Sequence, residues 1–171
     1  LHQPHDTLHL GWVEQVDVTI TTDGDQIPLH AGELLQDNFT KDGRRLRRYR
    51  ISIPSRGWSA IISGRYTTKR ITSDGLPPIE FYYVPEQTFT LNRMATEFED
   101  ALAHFQKRYG SPPFNTFQLA QHSLHFDGMG NRAGLGFATE ILGWKSDLAR
   151  SNGVVIRKMA AHMMGMSWFG D

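Results

Sequence analysis

Apolar and polar residues alternate over four stretches in the first half of the chain. From Val13 to Thr22, Val13, Val16, Val18 and Ile20 recur among Glu14, Asp17 and Thr19, and the turn Asp23-Gly24-Asp25 follows. Leu46 to Ile53 repeats the pattern and is closed by Pro54; Trp58 to Tyr66 carries Ser63-Gly64 within it; Ile79 to Val84 stops at Pro85. A period of two with turn residues between the runs predicts strands in a sandwich or an open antiparallel sheet. After Pro85 the period changes. Leu91, Met94, Phe98, Leu102 and Phe105 lie three or four apart, which predicts a helix over Thr90 to Tyr109. Thr90 is placed to cap its start and Gly110 its end, and Pro112-Pro113 forbids continuation. Phe114 to Ala120 reads as a short strand. Phe126 to Ala138, with Gly128, Gly130, Gly134 and Gly136, reads as a loop-rich stretch. Asn152 to Ser167 reads as a last helix, capped by Ser151 or Asn152. The expected fold class is α+β, with an antiparallel β lobe over residues 1–85 and an α/β lobe over residues 86–171.

Composition narrows the function classes. The 171 residues allow one domain with a core, or two small lobes. Hydrophobic residues at 39% and charged residues at 21% fit a globular chain rather than a disordered one. Lysine plus arginine number 18 and aspartate plus glutamate 18, so no charge imbalance argues for nucleic acid. Lys41, Arg44, Arg45, Arg47, Arg48 and Arg50 crowd together, and read as a solvated turn-and-strand face. No run of about 20 apolar residues predicts a membrane span. Leu1-His2-Gln3-Pro4 has no apolar stretch and does not read as a signal peptide. The absence of cysteine excludes disulfides and thiolate metal sites.

Candidate chemistry gathers in the last helix. Met159, Met163, Met164 and Met166 fit a packed helix, because methionine fills irregular gaps. A competing reading takes Met159, His162, Met163 and Met166, at steps of three or four, as a soft copper site of thioethers and imidazole. Elsewhere, His2, His5 and His9 read as a tail, and His122 and His125 as structural. Glu140, an acid in an apolar run, reads as either a cleft carboxylate or an exposed strand position. No Gly-x-Ser-x-Gly elbow supports serine chemistry.

The end of that helix, His162-Met163-Met164-Gly165-Met166-Ser167-Trp168-Phe169-Gly170-Asp171, resembles the zinc helix of gluzincin aminopeptidases of the aminopeptidase N type. In that family the helix reads His-Glu-x-x-His, then one residue, then Trp, an aromatic, Gly and Asn or Asp. The resemblance places His162 on the first metal-binding histidine, Met163 on the catalytic glutamate and Met166 on the second histidine. Imidazoles at i and i+4 share a helix face and clasp zinc, and the glutamate takes a proton from the metal-bound water. A thioether cannot act as that base near neutral pH and is a poor ligand for zinc. The family's third ligand lies on a later helix, and this sequence stops at Asp171, so the resemblance is to a degenerate and truncated member.

Other segments extend the likeness over roughly residues 45 to 171. Asp127-Gly128-Met129-Gly130-Asn131 is similar to the family's Gly-x-Met-Glu-Asn loop, with Gly130 in place of the glutamate that holds a substrate's amino end. Ala133 to Trp144 is similar to aminopeptidase-like domains attached to bacterial transporter permeases; on that alignment Glu140 is a retained acid of the substrate-facing strand, and both alignments stand. Tyr82-Tyr83-Val84-Pro85 and Tyr109 to Phe114 resemble the entry into the thermolysin-like domain.

The resemblance implies a non-catalytic protein that keeps a substrate cleft at Gly128, Met129, Gly130, Asn131 and Glu140, with His162 and Met166 as remnants of a metal site and no zinc. Such a protein acts by binding, with a peptide as one ligand, or by subunit pairing. In the family a helical lobe covers the zinc helix, so the face holding Met163 and Met166 is expected to need cover from a homodimer or a second subunit. A zinc enzyme completed by a partner chain and a copper-binding protein are the alternatives. The transporter-linked relatives imply an extracytoplasmic or periplasmic location by analogy.

Overall fold

The computed structural model describes residues 12–52, 55–56, 60–86, 90–123, 128–144 and 153–169. The expectations for His2, His5, His9, Trp58, His125, Asp127, the caps Ser151 and Asn152, and Gly170-Asp171 lie outside the described residues. The fold is α+β.

Seven strands come first: β1 (Trp12–Val13), β2 (Val16–Thr22), β3 (Ile27–Leu29), β4 (Glu33–Phe39), β5 (Arg45–Ile51), β6 (Ser55–Arg56) and β7 (Ile62–Gly64). They form a three-stranded antiparallel sheet in the order β2-β5-β4 and two ribbons, β1-β6 and β3-β7. The remaining strands, β8 (Thr67–Ile71), β9 (Ile79–Tyr83), β10 (Phe117–His122), β11 (Met129–Arg132) and β12 (Leu135–Thr139), make a five-stranded sheet in the order β11-β12-β10-β9-β8. Helix α1 (Leu91–Tyr109) joins β9 to β10, and α2 (Val154–Phe169) follows a π-helical turn, Glu140–Trp144.

The central strands β9, β10 and β12 run parallel, and the edge strands β8 and β11 antiparallel. A helix between two strands returns the chain to the end where it started, so β9 and β10 must pair in parallel. Residue 85 therefore falls inside a βαβ unit, and β8 and β9 from residues 1–85 share one sheet with three later strands.

The period of α1 holds, and Leu91, Met94, Phe98 and Leu102 are buried. Gly110 ends it as expected, with φ of 87° and its N–H bonded to the Gln106 carbonyl at 2.9 Å. Thr90 does not cap the start with its side chain. Its hydroxyl instead donates to the Trp144 carbonyl at 2.9 Å, tying the helix start to the π turn. Within the segment expected as loop-rich, Met129–Arg132 and Leu135–Thr139 form a hairpin. Ala133 and Gly134 have φ of 46° and 86°, two successive positive values that suit the turn between the twisted strands β11 and β12.

Arg45, Arg47, Arg48 and Arg50 of the arginine run lie on β5 and are matched by acids. Asp37 bridges Arg45 and Arg47 at 2.7 Å, and Asp17 bridges Arg48 and Arg50 at 2.8 Å. Among the described residues, no helix is long and apolar enough to cross a membrane.

Candidate functional site

Alternation along the five-stranded sheet sends side chains to two different interiors. Phe81, Phe117, Leu119 and Ala138 face α1 and α2, where Phe98, Trp144, Ile156 and Met164 complete the larger core. Tyr82, Ala120 and Leu135 face the opposite way and pack with Ile27, Leu29 and Ile51 of the strand-rich layer. The residues singled out in the sequence are divided between these faces, and the division decides what each can do.

On the helix face, Met163 is 0% exposed. A Cβ added at Gly136 of β12 would lie 3.2 Å from the Met163 sulfur, so the thioether fits beneath a strand that has no side chain there. Asn131 of β11 is also buried, and donates from Nδ2 to the Met163 carbonyl at 2.7 Å and to the Ser167 hydroxyl. Met129 packs on the same core. The chain's own sheet thus covers Met163. His162 is exposed, and Met166 is half-buried. Met159 is buried with Met163, so the four residues of the soft-metal reading are split between core and surface. Among the described residues, no three His, Asp or Glu side chains converge as a metal site.

The opposite face opens into a cleft of about 790 Å³. It lies at the carboxyl ends of the three parallel strands: Val84 follows β9, Gln121 and His122 end β10, and Glu140 follows β12. Parallel α/β sheets commonly take ligands at this end, because the chain leaves each strand there and cannot fill the space between departures. The β7 segment forms the other wall, with Ile61, Ile62 and Tyr66. Most of the lining is apolar, and a few polar groups converge on it, as in small-ligand sites generally.

Three contacts fix the cleft's shape. Tyr66 donates its hydroxyl to the Gln121 carbonyl at 2.8 Å, fastening the β7 wall to the end of β10. Burial of that ring pushes the phenol up to about 12, so it stays a donor through the neutral range. The Gln121 side chain accepts from the Val84 N–H at 2.8 Å and locks the ends of β9 and β10 together. His122 meets the Phe137 ring edge-on at 5.8 Å, and burial pushes its imidazole below the usual value, toward the neutral form.

Of the five residues expected in a substrate cleft, Glu140 lines this one, Gly130 lies beneath Phe137 on its floor, and Asn131 and Met129 turn to the helix core. Gly128 is half-buried with φ of 135°. A Cβ at Gly130 would approach Phe137 Cζ to 2.5 Å, so a larger residue there would displace the ring. Sequence reasoning missed Tyr66, Gln121 and Phe137 as cleft residues. The available signal for two of them was position: Tyr66 closes a predicted strand and Gln121 follows one, while Phe137 fell in the stretch read as loop. The arrangement can hold an apolar group against Phe137 and Ile62, with Glu140 and His122 also in the lining. No family model matches the chain, and no curated protein matches it.

Proposed function

We propose that this chain is a non-catalytic, aminopeptidase-like binding module that holds a peptide in the cleft between β7 and the carboxyl ends of β9, β10 and β12. The observation that carries the reading is the separation of two faces. The position that resembles the family's catalytic base, Met163, is sealed against Gly136 on the helix side, while the only acid among the expected cleft residues, Glu140, lines an apolar groove on the other. A sulfur in a dry core neither accepts a proton nor meets a substrate. Apolar walls with one carboxylate suit a side chain next to an amine or amide donor.

The test is a pair of measurements on the same protein. Titration calorimetry with short apolar peptides is expected to give saturable binding that weakens about tenfold with Glu140→Gln, the size of a lost charge-assisted contact. An aminoacyl-arylamide assay, with and without added zinc, is expected to stay at background. Zinc-dependent turnover would replace this reading with the enzymatic one, and absence of peptide binding would remove the cleft's assigned role.

A further inference from the structure

We propose that Phe137 sets the size of ligand the cleft accepts, and that Gly130 is the positioning residue that keeps its ring low. This rests on the reading that the cleft binds a ligand. Phe137 of β12 and Gly130 of β11 are directly opposed across the antiparallel pair. Both point to the cleft side of the sheet, since Asn131 and Ala138, their neighbours in sequence, point to the helix core. The ring reaches across the edge strand until Cζ, Cε1 and Cε2 come within 2.5, 2.9 and 3.2 Å of where a Gly130 Cβ would stand. On its other side the ring meets His122 edge-on at 5.8 Å. The ring therefore lies over bare backbone, flanked by β10, and forms the cleft floor.

An aromatic ring laid over a cross-strand glycine also stabilises a sheet edge. Here the same ring lines a cavity, so its height has a second consequence. A methyl group at position 130 cannot share the space with Cζ. The ring must rotate away from β11, and β10 with His122 blocks the lateral route, so it moves into the cleft. Truncating Phe137 removes the obstacle and deepens the floor. The two substitutions should then be strongly non-additive, because one acts only through the other.

The neutral fluorophores N-phenyl-1-naphthylamine and the wider 1-pyrenemethanol, titrated below the thermal transition of each variant, test this. Wild type is expected to bind the first and disfavour the second. Gly130→Ala is expected to weaken N-phenyl-1-naphthylamine binding about fivefold or more, and Gly130→Ala/Phe137→Ala to restore it. Phe137→Ala alone is expected to cut the discrimination against 1-pyrenemethanol about fivefold, which decides the matter if Gly130→Ala does not fold. No probe binding by wild type would overturn the cleft reading itself. Wild-type binding with unchanged discrimination in Phe137→Ala, or with a Gly130→Ala loss that the double variant fails to reverse, would overturn the roles of Phe137 and Gly130 alone.

Discussion

The side-chain amide of Asn131, on the edge strand β11, donates to the main-chain carbonyl of Met163 in the middle of α2, at 2.7 Å. The two residues are 32 positions apart in sequence. The bond fixes the edge strand to the helix on the face away from the cleft. It also carries through to the site, since Gly130, the neighbour of Asn131, supports the Phe137 ring. Removing this link should loosen the strand. Asn131→Ala is expected to cost about 1–2 kcal/mol in urea unfolding, the lower part of the range for a buried polar pair because Ser167 still donates to the same carbonyl at 3.1 Å. An unchanged midpoint would mean that packing alone holds α2 to β11.

Met163→Glu restores the residue type that the resembled family uses as its base, and is expected to destabilise rather than activate. The position is wholly buried, with Gly136 and the sheet above it. A carboxylate there would be cut off from solvent, so the cost should be about 3 kcal/mol or more at pH 8 and smaller at pH 5, where the acid can enter protonated. Denaturant titrations at both pH values measure the difference. Arylamide turnover by the variant would contradict the placement of this side chain in the core.

Acid should weaken the fold through His30. Its ring is buried, and Nδ1 lies 2.8 Å from the Ala31 carbonyl, while burial lowers its pKa below the usual 6.5. The folded state therefore binds its proton less readily than the unfolded state. That contribution is complete above about pH 6.5 and is lost as the pH falls through the folded value. Stability measured from pH 8 to 5 should decline below about 6.5, and His30→Gln should flatten the slope, leaving the part due to His122, whose shift has the same sign. A profile identical to wild type in His30→Gln would remove His30 from this account.

Asp37 is the partner that makes a buried arginine tolerable. The Arg47 side chain is 7% exposed and bonds to Asp37 Oδ2 and the Tyr49 hydroxyl. Hydrogen bonds from Arg45 lead the effects that lower the Asp37 carboxyl to about 2. Its stabilising contribution is thus present above the unfolded value near 3.9 and is lost as pH falls through about 2. Asp37→Asn at pH 7 is expected to cost about 2–4 kcal/mol, because it leaves Arg47 charged and unmatched, with the partial exposure of Asp37 keeping the loss moderate. Thermal or urea unfolding measures it, and a loss under about 0.5 kcal/mol would contradict the pairing.

Local patterning made much of the fold legible. Alternation found β2, β5 and β9, and the three-to-four spacing of Leu91, Met94, Phe98 and Leu102 found α1. β4 was missed because Glu33–Phe39 has no alternation and every residue on it is exposed, so no buried face wrote a period into it. The β11–β12 hairpin read as loop because glycines at 128, 130, 134 and 136 suggest irregular backbone. Their use here is mixed: Gly134 turns the chain, while Gly130 and Gly136 make room for Phe137 and Met163. The cleft was the least legible part. Glu140 was singled out as an acid in an apolar run, but Gln121 and Phe137 join it through the parallel pairing of β10 with β12, and Tyr66 through its bond to Gln121, contacts between distant segments that no local pattern encodes.

Incubating the protein with a defined pool of short apolar peptides, with and without zinc, and recovering bound and free fractions by size exclusion and mass spectrometry puts both halves of the functional reading to one test. The expected result is retention of intact peptides by wild type, reduced retention by Glu140→Gln, and no new amino termini in either fraction. Shortened peptides that accumulate with zinc, or equal recovery from wild type and a protein-free control, would contradict it.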